Sequence, residues 1–161
     1  MAVVQFTPQF HELEANWARI TETAEREPAD LVVFPELSSC GYRYTRRAEI
    51  LPYTDTRSAL RPLQEIARRS GQLFVGGFAE RVGRQLYNSA YVISAQGLRV
   101  YRKLHLWNFE RVLFRPGNRL LSFPFGGHRL GVEICYDLQF PEVAVALARA
   151  GAEMLIVPMA W

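Results

Sequence analysis

At 161 residues the chain has the size of one domain, and its 49% hydrophobic and 22% charged residues are ordinary for a globular protein. A net charge of +3 carried on scattered arginines gives no basic stripe for nucleic acid, and no apolar run approaches the roughly 20 residues of a membrane span. The start, Met1-Ala-Val-Val-Gln-Phe6, lacks the basic region and cleavage site of a secretory signal. Cys40 and Cys135 make neither a disulfide framework nor metal-ligand spacing, so a reducing cytoplasm and a metal-free protein are expected.

In chain order, Ala2 to Thr7 predicts a first strand, ended by Pro8. Glu12 to Glu27 predicts a helix with Leu13, Trp17, Ile20 and Ala24 on one face, stopped by Pro28. Leu31 to Phe34 is a continuously apolar second strand, as expected for a sheet covered on both faces, and it runs into Pro35-Glu36-Leu37 and a turn at Ser38 to Tyr42. Arg57 to Ser70 predicts a second helix with Leu60, Leu63, Ile66 and Ala67 inward and Gly71 as its stop. Leu73 to Phe78 is a third strand, whose Gly76-Gly77 pair suggests close backbone approach.

Gln85 to Ser94 and Leu98 to Arg102 predict a hairpin that ends at Lys103-Leu-His-Leu106. Glu110 to Gly117 reads as a loop or short turn region. Leu120 to Phe125 and His128 to Cys135 read as a hairpin around Gly126-Gly127. Phe140 to Ala150 predicts a helix and Met154 to Val157 a last strand. Strands alternating with helices, then hairpins, define an α/β protein with a mixed sheet. The strands are read as one apolar sheet needing cover on both faces, with three helices, enough for one of them.

Three chemical groups fall at strand ends. Cys135 closes the run Leu130-Gly-Val-Glu-Ile-Cys135 just before a helical pattern, at the edge where open α/β sheets place their chemistry. Glu36 directly follows a buried strand, where a carboxylate is costly unless paired or used. Lys103 is the only lysine among 19 basic residues, which suggests a position that a guanidinium does not serve. A thiol needs a base, a buried carboxylate can be one, and an ammonium can hold thiolate and oxyanion charge. The bland alternatives are a buried small hydrophobe at Cys135 and a capping or ion-paired carboxylate at Glu36. His105 and His128 leave a Cys–His pairing open, which would not use Glu36 or Lys103.

Val32-Val-Phe-Pro-Glu36, Tyr101-Arg-Lys103-Leu-His-Leu106 and Gly131-Val-Glu-Ile-Cys135-Tyr-Asp-Leu-Gln-Phe-Pro-Glu142 resemble, in order, the three signature blocks of the nitrilase (carbon–nitrogen hydrolase) superfamily. Asn88-Ser89, Phe114-Arg-Pro-Gly117 and Gly151-Ala152 resemble its lesser blocks. The resemblance implies an αββα four-layer sandwich. It implies Glu36 as general base, Lys103 as stabiliser of oxyanion and thiolate, Cys135 as nucleophile, Glu110 as a supporting carboxylate and the Tyr136 N–H as part of an oxyanion hole.

Cys135-Tyr-Asp137 followed by Phe140-Pro-Glu142 is similar to the amidase and carbamoylase branches. The implied reaction is hydrolysis of a small-molecule amide or carbamoyl bond through a thioester, without a cofactor and in a homo-oligomer. Family domains are longer, so the chain is expected to be one domain carrying the N-terminal part of the sandwich. A catalytically inactive half-domain acting only by association is the alternative. Glu133, two residues before Cys135, is expected on the thiol's side of a regular strand, where it would oppose the thiolate.

Overall fold

The structure, a computed structural model, describes residues 1–160. It contains two sheets. The first has the order β1-β2-β3-β4-β5, from β1 (Ala2–Val3), β2 (Leu31–Val33), β3 (Leu73–Val82), β4 (Gln85–Ser94) and β5 (Gly97–Arg102). Here β1, β2 and β3 are parallel, and β3, β4 and β5 form an antiparallel meander. The second sheet has the order β6-β7-β8, from β6 (Leu121–Phe125), β7 (His128–Val132) and β8 (Met154–Ile156). Its β6–β7 hairpin is antiparallel and its β7–β8 pair parallel. Placing His128 to Cys135 and Met154 to Val157 in the same sheet as the other strands is therefore corrected.

Period-2 alternation gives the central strands β2, β3 and β4 two buried faces. On the outer face, Val32, Phe34, Phe74, Phe78, Tyr91 and Ile93 pack against Ile20 and Ala24 of α1 (Leu13–Arg26) and against Leu63, Ile66 and Ala67. Those last three belong to the helix over Arg61–Ser70. On the inner face, Leu31, Val33, Leu73, Val75, Ala90 and Val92 meet Phe123, Leu130, Val132 and Ile156 of the second sheet. The second sheet's outer face takes the helix Pro141–Arg149, where a Cβ on Gly131 would lie 3.2 Å from Leu147. The layers thus run helix, sheet, sheet, helix. The three long helices divide between the two outer faces, and the second sheet covers the inner face of the first.

Local differences have local causes. β1 is an edge strand of two residues rather than a strand to Thr7, although the Val4 N–H still donates to the Val33 carbonyl at 2.8 Å. A one-turn helix, α2 (Arg47–Ile50), stands where no periodic pattern announced one. The helix expected from Arg57 begins as a 3₁₀ turn over Arg57–Leu60 and becomes α3 (Arg61–Ser70), with Pro62 in its first turn. Gly71, at φ +76°, ends α3 as expected. Within the loop or short turn expected over Glu110 to Gly117, α4 (Glu110–Leu113) makes one helical turn. β7 stops at Val132, so Cys135 opens a 3₁₀ turn over Cys135–Gln139 that leads into α5 (Pro141–Arg149).

Candidate active site

The chain-reversing loops after β2, β5 and β7 meet at one end of the sandwich. After β2 the chain turns across β3: the Gly77 N–H donates to the Pro35 carbonyl at 2.8 Å, and the Ser38 N–H and hydroxyl both donate to the Gly77 carbonyl at 2.9 Å. This crossing requires glycine, because a Cβ on Gly77 would lie 2.3 Å from the Leu37 nitrogen. Leu37 takes φ +46°, which turns the chain back just after Glu36.

Lys103 prolongs the β4–β5 ladder by one residue, its N–H donating to the Asn88 carbonyl at 2.9 Å. Its Nζ is fully buried and donates to Glu36 Oε1 at 2.7 Å and to both Glu110 oxygens at 2.9 Å. Asn88 Nδ2 donates to Glu36 Oε1 and Glu110 Oε1, both at 2.7 Å, so one amide spans the two carboxylates. The Ala160 N–H donates to Glu36 Oε2 at 3.2 Å, and the Trp107 N–H to Glu110 Oε2 at 2.6 Å. The Lys103 ammonium also lies 6.0 Å from the centre of the Tyr42 ring.

Burial sets the electrostatics of this cluster. It pushes the Glu36 carboxyl above the usual carboxylate range, although Lys103 works against the shift. Burial also disfavours the Lys103 ammonium, but Glu36 and Glu110 outweigh it and hold the group charged. The Cys135 thiol is pushed up to about 11 by burial and then by the Glu36 carboxylate, with Lys103 opposing. The thiol therefore rests neutral beside the Glu36 carboxyl. Glu110 is fully enclosed, not a surface-loop carboxylate.

Cys135 holds φ +43°, a left-handed value that costs a residue with a Cβ on the order of 1 kcal/mol. Its N–H donates to the Pro158 carbonyl at 3.1 Å. Tyr136 is second in the 3₁₀ turn, where a backbone N–H has no acceptor within the turn itself. The fully buried Asp137 stabilises this geometry. Its carboxylate accepts from the Ile134 N–H at 3.1 Å, the Tyr101 hydroxyl at 2.8 Å and the His105 N–H at 2.8 Å, and its Oδ1 lies 3.0 Å from His105 Nδ1. The His105 ring stacks on Phe140 with centroids 3.6 Å apart. His105 is thus engaged by Asp137, and the exposed His128 lies beside Glu153 at 3.0 Å.

The structure brings Glu36, Lys103 and Glu110 into direct contact and sets Cys135 where both Glu36 and Lys103 act on it. Glu133 departs from expectation. β7 ends before it, so alternation no longer relates it to Cys135, and the charges it feels are those of Asp137 and His105. Both its oxygens are buried without a hydrogen-bond partner among the described residues, and burial raises its pKa. Asn88 and Asp137 stand in the sequence only as parts of motif blocks, with no role assigned to either. The available signal at Asn88 is an amide within a strand that is buried almost throughout.

A four-layer sandwich with this cluster at its loop end defines the class, and the carbon-nitrogen hydrolase family model matches residues 1–161. The chain belongs to that family. It is 37% identical over 169 residues to a nitrilase of Pyrococcus abyssi, covering 98% of this chain and 63% of the relative. It is 39% identical over 133 residues to an (R)-stereoselective amidase of a Pseudomonas species, covering 80% of this chain and 47% of that one. An amidase structure from a Nesterenkonia species superposes with a TM-score of 0.86 at 27% identity, covering 99% of this chain and 64% of that chain. The chain therefore spans roughly half to two thirds of the length of these relatives.

Proposed function

We propose that the chain is a single carbon–nitrogen hydrolase domain that cleaves an amide or carbamoyl bond of a small molecule through a thioester on Cys135. Cys135 Sγ attacks the carbonyl carbon while Glu36 takes the thiol proton. The oxyanion that forms is held by the Lys103 ammonium and the Tyr136 N–H. Collapse breaks the C–N bond as Glu36 delivers its proton to the nitrogen, so ammonia or an amine leaves. Water then attacks the thioester with Glu36 as base. The second oxyanion collapses, the C–S bond breaks, the acid departs and the proton returns to sulfur. Glu110 positions Lys103 throughout.

One observation carries this reading: the chain's only lysine is fully buried with its ammonium 2.7 to 2.9 Å from two buried carboxylates, beside a thiol. The relatives' names add support, since nitrilase and amidase both denote attack on carbon–nitrogen bonds. A variant of the matched Nesterenkonia amidase carries the product of Michael addition of acrylamide at its active-site cysteine. The test is ammonia release from a panel of small primary amides, with Cys135→Ala and Glu36→Gln as blanks. A folded protein with an alkylatable Cys135 that releases nothing from any amide or carbamoyl compound sinks the hydrolase reading in favour of a role in association alone.

The setting proposed is the cytoplasm, supported by two free thiols, which a reducing compartment preserves. Among the described residues no helix is long and apolar enough to cross a membrane. The assembly proposed is a homo-oligomer, supported by the exposed Leu138, Val145 and Met154 on and around the second sheet. Sedimentation of the purified chain as a stable 18.4 kDa monomer would argue against that assembly.

A further inference from the structure

Away from the cluster around Lys103, a cleft of about 550 Å³ opens where α2, the β3–β4 turn and α4 come together. Four arginines line it: Arg47 from α2, Arg84 from the turn, Arg111 from α4 and Arg115 just beyond. No acidic residue lines it, and none of the four forms an ion pair among the described residues, whereas Arg46, Arg57, Arg69 and Arg102 each meet a glutamate. Like charges gathered around one concavity repel unless an anion joins them.

Three of these side chains are already held in place. Arg47 donates through Nη1 to the Leu113 carbonyl at 3.2 Å and through Nη2 to the Arg84 carbonyl. Arg111 donates through Nε to the Leu106 carbonyl at 3.1 Å, and Arg115 through Nε to Gln85 Oε1 at 2.8 Å. Bonding through Nε fixes a guanidinium while leaving its two terminal NH₂ groups free, and those form the fork that matches a phosphate. The entropy of ordering these long side chains is largely spent before a ligand arrives. The volume is that of a small-molecule site, roughly 300–1,000 Å³.

We propose that this cleft binds a small polyanion carrying two or more phosphate groups, gripped by Arg84, Arg111 and Arg115 with Arg47 as its floor. The proposal is independent of the hydrolase reading, because it concerns other side chains and is read by binding alone. Arg111 directly follows Glu110, so an occupant also sits one residue from the buried cluster.

The test titrates sodium pyrophosphate into the purified chain by calorimetry. Saturable binding is expected at about 50 mM salt, weakening roughly tenfold or more at about 200 mM as ions compete for the guanidinium groups. The double variant Arg84→Gln, Arg115→Gln should bind at least tenfold more weakly, and both positions are exposed, so the fold should stand. Arg119→Gln, an exposed arginine outside the cleft, should bind as the parent does. Absence of saturable binding at low salt overturns the proposal, and so does binding that the double variant leaves unchanged. Tighter binding of a hexaglutamate peptide than of pyrophosphate also overturns it, by making the surface a docking site for an acidic protein segment.

Discussion

Lys103 is where the chain's preference for arginine stops, and its surroundings give the reason. The ammonium is enclosed by two carboxylates and an aromatic ring, and a planar guanidinium needs more room and cannot bring one compact charge to the same point. Lys103→Arg is expected to overpack the site by about 1–3 kcal/mol, visible as a lowered urea midpoint, and to reduce amide turnover on the order of 10²–10³-fold. Turnover within a few-fold of the parent would make the lysine incidental to the reaction. Asp55 supplies a separate test at this scale. Burial raises its carboxyl to about 6, against an opposing hydrogen bond from Trp17. The native state therefore holds more protons than the unfolded chain between about pH 4 and 6, and stability from this group falls as pH rises through that window, then levels. Relative to Asp55→Asn, the parent should lose about 2 kcal/mol between pH 4 and 7, read from paired denaturant titrations. Parallel pH profiles for the two proteins would show that Asp55 does not titrate in that window.

At the level of elements, the clamp at Asp137 joins the segment after β5 to the turn that carries Cys135. Asp137→Asn keeps the shape but turns one acceptor oxygen into a donor facing other donors. The expected result is a drop in kcat of roughly 10²-fold with KM changed only a few-fold, because a displacement of about 1 Å is enough to spoil attack geometry. A lower unfolding midpoint with intact kcat would assign Asp137 a purely structural role. The same scale shows what a sequence reveals. α1 and α3 were legible because Trp17, Ile20 and Ala24, and Leu63, Ile66 and Ala67, repeat with helical period on buried faces. The Gly76-Gly77 pair announced the close crossing that places Glu36. β3 extends past Phe78 to Val82, carrying Glu80, a carboxylate buried in the ladder and held by Arg57, Arg102 and Ser89. α2 has no signature because four residues carry no period, and for the same reason α4 shows only as a turn. The left-handed turn at Cys135 has no local signature at all, since it is imposed by bonds from Asp137 and Pro158.

For the whole molecule, hydrophobic pattern marked which strands are buried on both faces but not which sheet each one joins. β7 and β8 are as apolar toward the first sheet as a neighbour within it would be, so only the three-dimensional pairing separates them. The resemblance supplied the four layers that periodicity could not. The lone lysine has one more consequence, for how the folded state can be watched. A lysine-specific protease has a single internal site in this sequence, after Lys103, and that peptide bond lies beside a fully buried side chain. Cleavage into residues 1–103 and 104–161 should therefore require the loop end of the sandwich to open. When closing outpaces cutting, the rate of appearance of the two fragments reports the free energy of that opening. A ligand seated against Lys103 should slow the cut in proportion to its occupancy, whereas cleavage as fast as in the unfolded chain would show that this end opens freely. Chemical turnover is not needed for the reading, so proteolysis can follow binding even in variants that have lost the thiol.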